Sequence, residues 1–169
     1  LSSWRLAFCG AEPVRDQTLQ AFADKFAAAG FSRGALYPCY GLAEATLIVT
    51  GGERGDGVKS TLFSSRDLRQ NQAVLASDGS GQRLVSCGVA RSHHRLRIAE
   101  PESGTALSSG HVGEIQVTGP SVARGYWNNP DATRTTLKNG WLHTGDMGSF
   151  DARGFLPLRD RSKDVVISG

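Results

Sequence analysis

The chain has 169 residues, of which 39% are hydrophobic and 21% are charged, so it is predicted to be globular and not disordered. Its net charge of +3 comes from scattered basic residues, which argues against a nucleic-acid-binding surface. The three cysteines form no C-x-x-C pair, and no signal peptide is visible, which predicts a cytoplasmic protein. No apolar run approaches the ~20 residues that cross a bilayer, so no transmembrane segment is expected.

The first part of the chain is predicted to alternate strand, helix and strand. "WRLAFCG" predicts a buried strand, and "EPVRDQTLQAFADKFAAAG" predicts an amphipathic helix. That helix has Leu19, Phe22, Ala23 and Phe26 at helical spacing and ends at Gly30. "GALYPCYG" predicts a second strand that runs into a loop. This order is typical of an α/β fold, in which ligands bind at the carboxyl ends of the strands.

From about residue 83 the pattern changes to the alternation that is typical of antiparallel strands. "HRLRIAE" places Leu96 and Ile98 on one face, and "VGEIQVTG" does the same with Ile115 and Val117. "FDARGFLPLRDR" predicts two strand ends around a turn, and "DVVIS" predicts a further strand. The second half is therefore expected to be mostly antiparallel β, as a small sheet or a barrel.

Two motifs resemble ligand sites but have simpler explanations. "GGERGDGVKS" almost matches a phosphate-binding loop, but Val58 displaces Lys59 by one position and no clear helix follows, so we expect a surface turn. The pair His93 and His94 suggests a metal site. On a strand, however, adjacent side chains point to opposite faces, so structural or solvated histidines are expected.

Three other segments carry candidate binding residues. Glu44 is the lone charge in "YPCYGLAEATLIVTGG" and is a possible Mg²⁺ ligand, with Tyr40 available to stack on a base. In "GWLHTGDMG", Asp146 on a tight turn could accept two ribose hydroxyls, or could cap its own backbone. In "LRDRSKD", alternate basic residues could contact a sugar or phosphate, or could guard an exposed β edge. Those basic residues are Arg159, Arg161 and Lys163.

Taken in order, five segments resemble the signatures of the adenylate-forming superfamily of acyl ligases and adenylation domains. The segments are "GAEPV", "YGLAE", "GEIQVTGPSVARGYWNNPDAT", "GWLHTGDMG" and "RDRSKD". The form "CYGLAEATLIVTGG", followed by "LVSCG", is similar to the fatty acyl-AMP ligase branch. General acyl-CoA ligases usually carry Thr before the motif glutamate, where this chain has Ala43.

The resemblance implies a role for each matching residue. Tyr40 would stack on adenine with Gly41 beside it, Asp146 would hold the ribose hydroxyls, and Glu44 would be the catalytic residue that binds Mg²⁺. Arg161 would also contact the ribose, and Lys163 would lie at the hinge before a small C-terminal domain. The adenine pocket would also be lined by Gly10, Ala11 and Glu12.

The same resemblance implies a division of the chain. Residues 1–60 would end an α/β subdomain with the adenine and Mg²⁺ sites, and residues 61–84 would hold an insertion typical of fatty acyl-AMP ligases. Residues 85–163 would form a β-rich subdomain with the ribose site, and residues 164–169 would begin the C-terminal domain. The chain is expected to be an internal portion of a larger enzyme, without the family's phosphate loop and C-terminal lysine, and inactive by itself.

The implied function of the parent protein is ATP-dependent activation of a fatty acid to acyl-AMP and pyrophosphate, followed by loading of an acyl carrier protein. ATP and Mg²⁺ would be its cofactors. Alternatives are an acyl-CoA ligase, a peptide-synthetase adenylation domain or an inactive nucleotide-binding fragment. The insertion and Ala43 favour the fatty acyl-AMP ligase.

Overall fold

The computed structural model describes residues 1–77, 79–151 and the strand at 158–161. Strand, helix and strand follow one another in the first part of the chain, as predicted. Its elements are β1 (Ala7–Cys9), α1 (Asp16–Phe26), β2 (Leu36–Leu42) and β3 (Leu47–Gly51). β1 pairs in parallel with β2, and β2 pairs antiparallel with β3. The parallel pair around α1 is the α/β unit that the sequence predicts.

The amphipathic helix α1 ends as its sequence predicts. Leu19 and Ala23 are buried, a single 3₁₀ turn follows at Ala27–Ala29, and Gly30 then adopts a left-handed conformation with φ 83°. Gly30 therefore ends the helical segment by the usual left-handed cap. The buried face of α1 packs on the apolar side of β1 and β2, where Ala7 and Leu36 belong to the same hydrophobic cluster.

The prediction of a buried first strand is wrong at its central residue, Phe8. Phe8 is 59% exposed, whereas Ala7 is buried. β1 lies at the end of the strand order β1–β2–β3–β6, in which β6 is Val89–Ala90. Alternate residues of a strand point to opposite faces, and α1 covers only the face that carries Ala7. The Phe8 ring lies on the opposite face and contacts the Tyr37 ring edge-to-face.

A small hairpin, residues 60–85, follows the first sheet and spans the segment 61–84 that is predicted as an insertion. It consists of β4 (Ser60–Phe63), α2 (Ser65–Arg69) and β5 (Gln82–Val85), with β4 and β5 antiparallel. β4 begins directly after Lys59, and the Lys59 ammonium pairs with Asp56 at 2.6 Å. The near-match to a phosphate loop is thus followed by a strand, which agrees with the interpretation as a turn.

The remaining strands form one antiparallel sheet, so the expectation of a mostly antiparallel second half is confirmed. Its order is β11–β10–β8–β7, with β9 also pairing with β10. The elements are β7 (Arg95–Ala99), β8 (Gly113–Thr118), α3 (Pro130–Thr136), β9 (Leu137–Lys138), β10 (Trp141–Gly148) and β11 (Leu158–Arg161). Of the two strand ends predicted in "FDARGFLPLRDR", the second is confirmed as β11, whereas Phe150 and Asp151 at the start of the first lie outside any strand. "DVVIS" lies outside the described residues.

One hydrophobic cluster joins the two larger sheets. The first sheet and its turn contribute Tyr40, Ala45 and Val49, and the second contributes the predicted Ile98, Ile115 and Val117 together with Leu142. Cys87 lies in the same cluster, and burial raises the pKa of its thiol to about 12. Cys87 is therefore a core residue and not a nucleophile near neutral pH. No helix in the described part of the chain is long and apolar enough to cross a membrane.

The two adjacent histidines do not lie on a strand, although the sequence pattern suggested one. Ser92 and His93 have positive φ angles of 52° and 63° and form a turn before β7. His94 is buried, with Nδ1 2.8 Å from the Arg91 carbonyl oxygen and Nε2 2.8 Å from Ser121 Oγ. The prediction that His94 is structural is confirmed, because both ring nitrogens bind protein oxygens.

Candidate functional site

Asp146 lies on a bulged strand and not on the tight turn that the sequence predicted. Thr144, Gly145 and Asp146 of β10 face the single residue Ile115 of β8, because the register shifts between His143 and Met147. Gly145 has φ 72°, which allows this bulge. The Thr144 hydroxyl donates to the Ile115 carbonyl at 2.6 Å and accepts from the Asp146 N–H at 3.1 Å. The bulge therefore fixes the backbone that carries the Asp146 carboxylate.

The structure brings Asp146 together with Tyr40, although 106 positions separate them. The Tyr40 hydroxyl donates to Asp146 Oδ2 at 2.9 Å. Tyr40 is only 6% exposed and belongs to the cluster that joins the two sheets. A charge-assisted hydrogen bond of this kind orients the carboxylate from the neighbouring sheet. Two of the predicted site residues are thus in direct contact.

Glu44 lies on the 3₁₀ turn Ala43–Ala45, which connects β2 to β3. Its backbone carbonyl accepts from the Ala123 N–H at 2.7 Å. The Thr46 hydroxyl donates to the Ser121 carbonyl at 3.0 Å, and the Ser121 hydroxyl donates to the Ala45 carbonyl at 2.8 Å. The segment after β8 therefore fixes the turn through three hydrogen bonds.

The side chain of Glu44 is oriented by a tyrosine to which the sequence analysis gave no role. The Tyr126 hydroxyl donates to Glu44 Oε1 at 2.5 Å. This hydrogen bond, assisted by burial, raises the pKa of Tyr126. Because a carboxylate has two oxygens, Oε2 can still bind a cation while Oε1 accepts from Tyr126.

A cavity of about 230 Å³ lies between the turn that carries Glu44 and the second sheet. Its walls are mostly apolar, and β10 contributes Leu142. The other lining residues are Ala43, Glu44, Ala123, Gly125, Tyr126 and Leu137. The Glu44 turn and the Leu142 end of β10 therefore border the same cleft, and Asp146, four residues farther along β10, does not line it.

The residues expected around adenine lie at one edge of the first sheet. β1 and β2 are parallel with Cys9 opposite Pro38, so their carboxyl ends point in the same direction. Gly10, Ala11 and Glu12 follow β1 directly, beside the end of β2 that carries Tyr40. This is the edge at which ligands bind in α/β folds.

Gly41 has a packing role that the sequence interpretation missed. A Cβ atom at Gly41 would lie 1.4 Å from the Leu47 carbonyl oxygen on β3. Glycine at this position is therefore required by the close approach of β3, whether or not a ligand also approaches the backbone.

Of the three basic residues predicted in the last motif, the structure describes two. Arg161 lies directly opposite Asp146 in the ladder between β10 and β11, which places its backbone beside the predicted ribose site. Arg159 lies on the same strand. Lys163 lies outside the described residues.

A buried polar cluster beside Asp146 was missed by the sequence analysis. Glu114 and Gln116 of β8 are buried on the face opposite Ile115 and Val117. Glu114 Oε2 lies 2.8 Å from His143 Nδ1, three residues before Asp146. The alternation of acidic and amide residues with apolar ones in "GEIQV" was the available signal, but alternation alone predicts a solvated face and not a buried one.

The donor set around Glu44 fits Mg²⁺ bound together with a nucleotide. Among residues 1–77 and 79–151, no group of three or more His, Cys, Asp or Glu side chains could hold a metal by itself. Mg²⁺ commonly takes one or two carboxylates and completes its octahedral shell with water and substrate phosphates. A single carboxylate such as Glu44 is sufficient for a site of that type.

A family model described as AMP-binding enzyme matches residues 1–127. The chain belongs to this family. The match includes the predicted adenine and Mg²⁺ residues and ends before β10.

Relatives of this AMP-binding chain extend over nearly its whole length. A medium-chain fatty acid acyl-carrier-protein ligase of Teredinibacter turnerae is 35% identical over 99% of the chain and 28% of its own length. A 4-hydroxyphenylalkanoate adenylyltransferase of Mycobacterium tuberculosis is 38% identical over 96% of the chain and 28% of its own length. The chain therefore spans less than one third of the length of these relatives.

A solved structure confirms the fold of this AMP-binding chain. The fatty acyl-adenylate ligase from L. pneumophila, in complex with acyl adenylate and pyrophosphate, superposes with a TM-score of 0.90. It is 38% identical, and the match covers 98% of this chain and 30% of that one. The predicted architecture, an α/β part followed by mostly antiparallel strands, is therefore correct.

Proposed function

We propose that this chain is the nucleotide-binding part of a ligase that activates a fatty acid with Mg·ATP and loads it on an acyl carrier protein. The observation that carries the proposal is the contact between Asp146 and Tyr40 on β2, the strand whose end leads into the turn that holds Glu44. It joins two family signatures that are far apart in the chain. The relatives named as fatty acid ligases and the related structure holding acyl adenylate and pyrophosphate support the same reaction.

The nucleoside would be held from two sides. Asp146 would accept hydrogen bonds from the ribose hydroxyls, with Arg161 opposite it in the ladder as the second ribose contact. Gly41 and residues 10–12 would line the adenine pocket at the edge of the first sheet. The Tyr40 ring, 6% exposed and packed in the core, leaves little surface for the stacking on adenine that the resemblance implies. Binding of this kind fixes the α-phosphate relative to the attacking carboxylate, which lowers the entropic cost of the reaction.

Glu44 would hold Mg²⁺ through the carboxylate oxygen that Tyr126 does not use. When bound, Mg²⁺ offsets the negative charge of the phosphates. Tyr126 and the hydrogen bonds of the 3₁₀ turn keep the Glu44 carboxylate in place before the nucleotide arrives. Lys163 would provide the hinge to a C-terminal domain.

The acyl acceptor would be the phosphopantetheine thiol of a carrier protein. Support comes from the relative named as an acyl-carrier-protein ligase and from Ala43 before the motif glutamate. The segment 61–84, which contains α2 and most of the β4–β5 hairpin, would be the insertion that distinguishes fatty acyl-AMP ligases. Its packing on the second sheet through Phe63, Leu68 and Met147 would hold that insertion rigidly.

The adenylation step is tested by ATP–pyrophosphate exchange in the full-length protein that contains this chain. We expect Asp146→Ala to raise the KM for ATP, because a hydrogen bond to a charged group contributes about 1.5–3 kcal/mol. Glu44→Ala is expected to lower kcat at saturating ATP, because the phosphate charge is then less well offset.

The matched control is Asp131→Ala, because Asp131 lies on α3 and pairs with Arg134 on the surface. This variant should exchange like the wild type. Undiminished exchange by both site variants would contradict the assignments of Asp146 and Glu44.

A further inference from the structure

Glu114 is a buried carboxylate whose two oxygens both bind groups of the second sheet. It is 8% exposed. Oε1 accepts from the Gly145 N–H at 3.1 Å, and Oε2 accepts from Gln116 Nε2 at 2.9 Å. His143 Nδ1 lies 2.8 Å from the same Oε2. A carboxylate is retained in the interior at a high desolvation cost, and its hydrogen bonds here offset that cost.

The protonation of His143 Nδ1 follows from its partner. A carboxylate oxygen only accepts hydrogen bonds, so the contact with Glu114 requires a proton on Nδ1. Nδ1 therefore donates to Glu114, and the 3.1 Å approach of Gln116 Nε2 to Nδ1 brings two donors together and is not a hydrogen bond. The ring of His143 is thereby held against Glu114.

The orientation of Gln116 is fixed from the opposite side. Arg97 Nε donates to Gln116 Oε1 at 2.8 Å, so the amide nitrogen must face Glu114. The Arg97 guanidinium in turn lies over the Trp141 ring, 4.4 Å from its centroid. These contacts give one defined orientation to each side chain that links Trp141 to Glu114, namely Arg97 and Gln116.

Glu114 contacts β10 at the bulge that carries Asp146. Its Oε1 binds the N–H of Gly145, the residue directly before Asp146, and its Oε2 binds the side chain of His143, the last paired residue before the bulge. The Gly145 N–H is freed from the ladder by the bulge and would be costly to bury without this acceptor. Glu114 therefore stabilises the one backbone conformation in which the Asp146 carboxylate meets Tyr40.

From this geometry we infer that Glu114, supported by His143, is a positioning residue for recognition of the ribose. The inference rests on the proposed function, in which Asp146 accepts the ribose hydroxyls. Glu114 acts on the ribose only through the β10 bulge. Its loss should therefore weaken selection for the ribose hydroxyls and not merely reduce the amount of folded protein.

The test compares ATP with 2′-deoxy-ATP and 3′-deoxy-ATP in the full-length protein. Selectivity is measured as the ratio of kcat/KM values in pyrophosphate exchange and as the ratio of Kd values by calorimetry. Asp146→Ala should lower the ratio for at least one deoxy analogue by about tenfold or more, and Glu114→Gln should lower the same ratio by about threefold to tenfold.

Two substitutions of His143 keep the test decisive if Glu114→Gln does not fold. His143→Leu removes the donor to Glu114 and should lower the ratio in the same way. His143→Asn keeps an N–H donor near the Nδ1 position, so its selectivity ratio should stay close to that of the wild type. Leu19→Ala in α1 is the destabilised control, because it removes core packing away from β10 and should leave the ratio unchanged.

The possible results separate the two proposals. If Asp146→Ala lowers the ratio but neither Glu114→Gln nor His143→Leu changes it, the positioning role of Glu114 is overturned and the ribose site stands. If Asp146→Ala leaves the ratio for both analogues unchanged, the assignment of Asp146 is overturned, and the role of Glu114 is overturned with it. A ratio lowered equally by Leu19→Ala would also overturn the specific role of Glu114.

Discussion

At the scale of single residues, each carboxylate of the candidate site is oriented by a tyrosine from a distant part of the chain. Tyr40 donates to Asp146, and Tyr126 donates to Glu44. The first pair is 106 positions apart and the second is 82 positions apart. A carboxylate that is already oriented needs less reorganisation when a ribose or a metal binds.

The hydrogen bond from Tyr126 to Glu44 makes a prediction for the dependence on Mg²⁺. Tyr126→Phe should raise the Mg²⁺ concentration for half-maximal pyrophosphate exchange by about threefold to tenfold, because Glu44 loses a hydrogen bond worth roughly 1–2 kcal/mol at a partly exposed site. The exchange rate would be measured over a Mg²⁺ titration at saturating ATP.

The neighbouring Trp127 provides the control for that titration. Trp127 is 92% exposed, and Trp127→Phe should leave the titration unchanged. An unchanged midpoint in Tyr126→Phe would show that Tyr126 does not prepare Glu44 for the metal.

At the scale of elements, β2 and β10 determine where the site forms. β2 pairs with β1 on one side and with β3 on the other, and its end leads into the Glu44 turn. β10 contains the bulge that carries Asp146. Both strands depart from regular pairing, because the register of β2 against β3 also shifts, between Tyr40 and Gly41. Such irregularities commonly orient functional side chains.

The close approach of β3 to Gly41 on β2 predicts that even a methyl side chain at this position destabilises the protein. Gly41→Ala should lower the free energy of unfolding of the full-length protein by about 1–3 kcal/mol or more, because the new Cβ would overlap the Leu47 carbonyl and force β3 to move. Chemical denaturation without nucleotide would measure this change.

The matched substitution is Gly52→Ala, one residue beyond β3. An added Cβ at Gly52 meets nothing within 4 Å, so this variant should unfold like the wild type. Equal stability of both variants and the wild type would contradict the packing role of Gly41.

At the scale of the whole molecule, the two larger sheets share a core, and the candidate site lies where they meet. Tyr40 belongs to this core with its ring and to the site with its hydroxyl. The chain spans 28–30% of the relatives described above, so the acyl acceptor is a property of the whole protein.

The choice of acceptor gives a prediction for the full-length protein. With a fatty acid and Mg·ATP, it should transfer the acyl group to a carrier protein that bears phosphopantetheine, and should form little acyl-coenzyme A. Intact-protein mass spectrometry and chromatography of coenzyme A esters would measure the two products.

Carrier protein without its phosphopantetheine arm is the control and should stay unacylated. Acyl-coenzyme A formation at an equal or higher rate would support the acyl-CoA ligase alternative, and activation of an amino acid would support the peptide-synthetase alternative.

Local sequence pattern determined α1, the strands β1, β2, β7 and β8, and the resemblance to the family, whereas α2 and α3 were not predicted and β10 was predicted as a tight turn. The spacing of Leu19, Phe22, Ala23 and Phe26 is enough to define α1, because the 3.6-residue period is a local property. The motifs around Glu44 and Asp146 likewise identified candidate residues without any knowledge of contacts. The segments "WRLAFCG" and "RSHHRLR" were less informative, since exposure of Phe8 and the turn at His93 depend on what packs nearby.

Only the tertiary structure decided how those residues meet. The bulge at Gly145, the burial of Glu114 and the two tyrosine–carboxylate hydrogen bonds all depend on pairings between distant segments. Alternation along β8 predicts that Glu114 and Ile115 occupy opposite faces, but it does not say that both faces are covered. Burial is a property of the assembled sheets, and local periodicity carries no information about which neighbours a face will have.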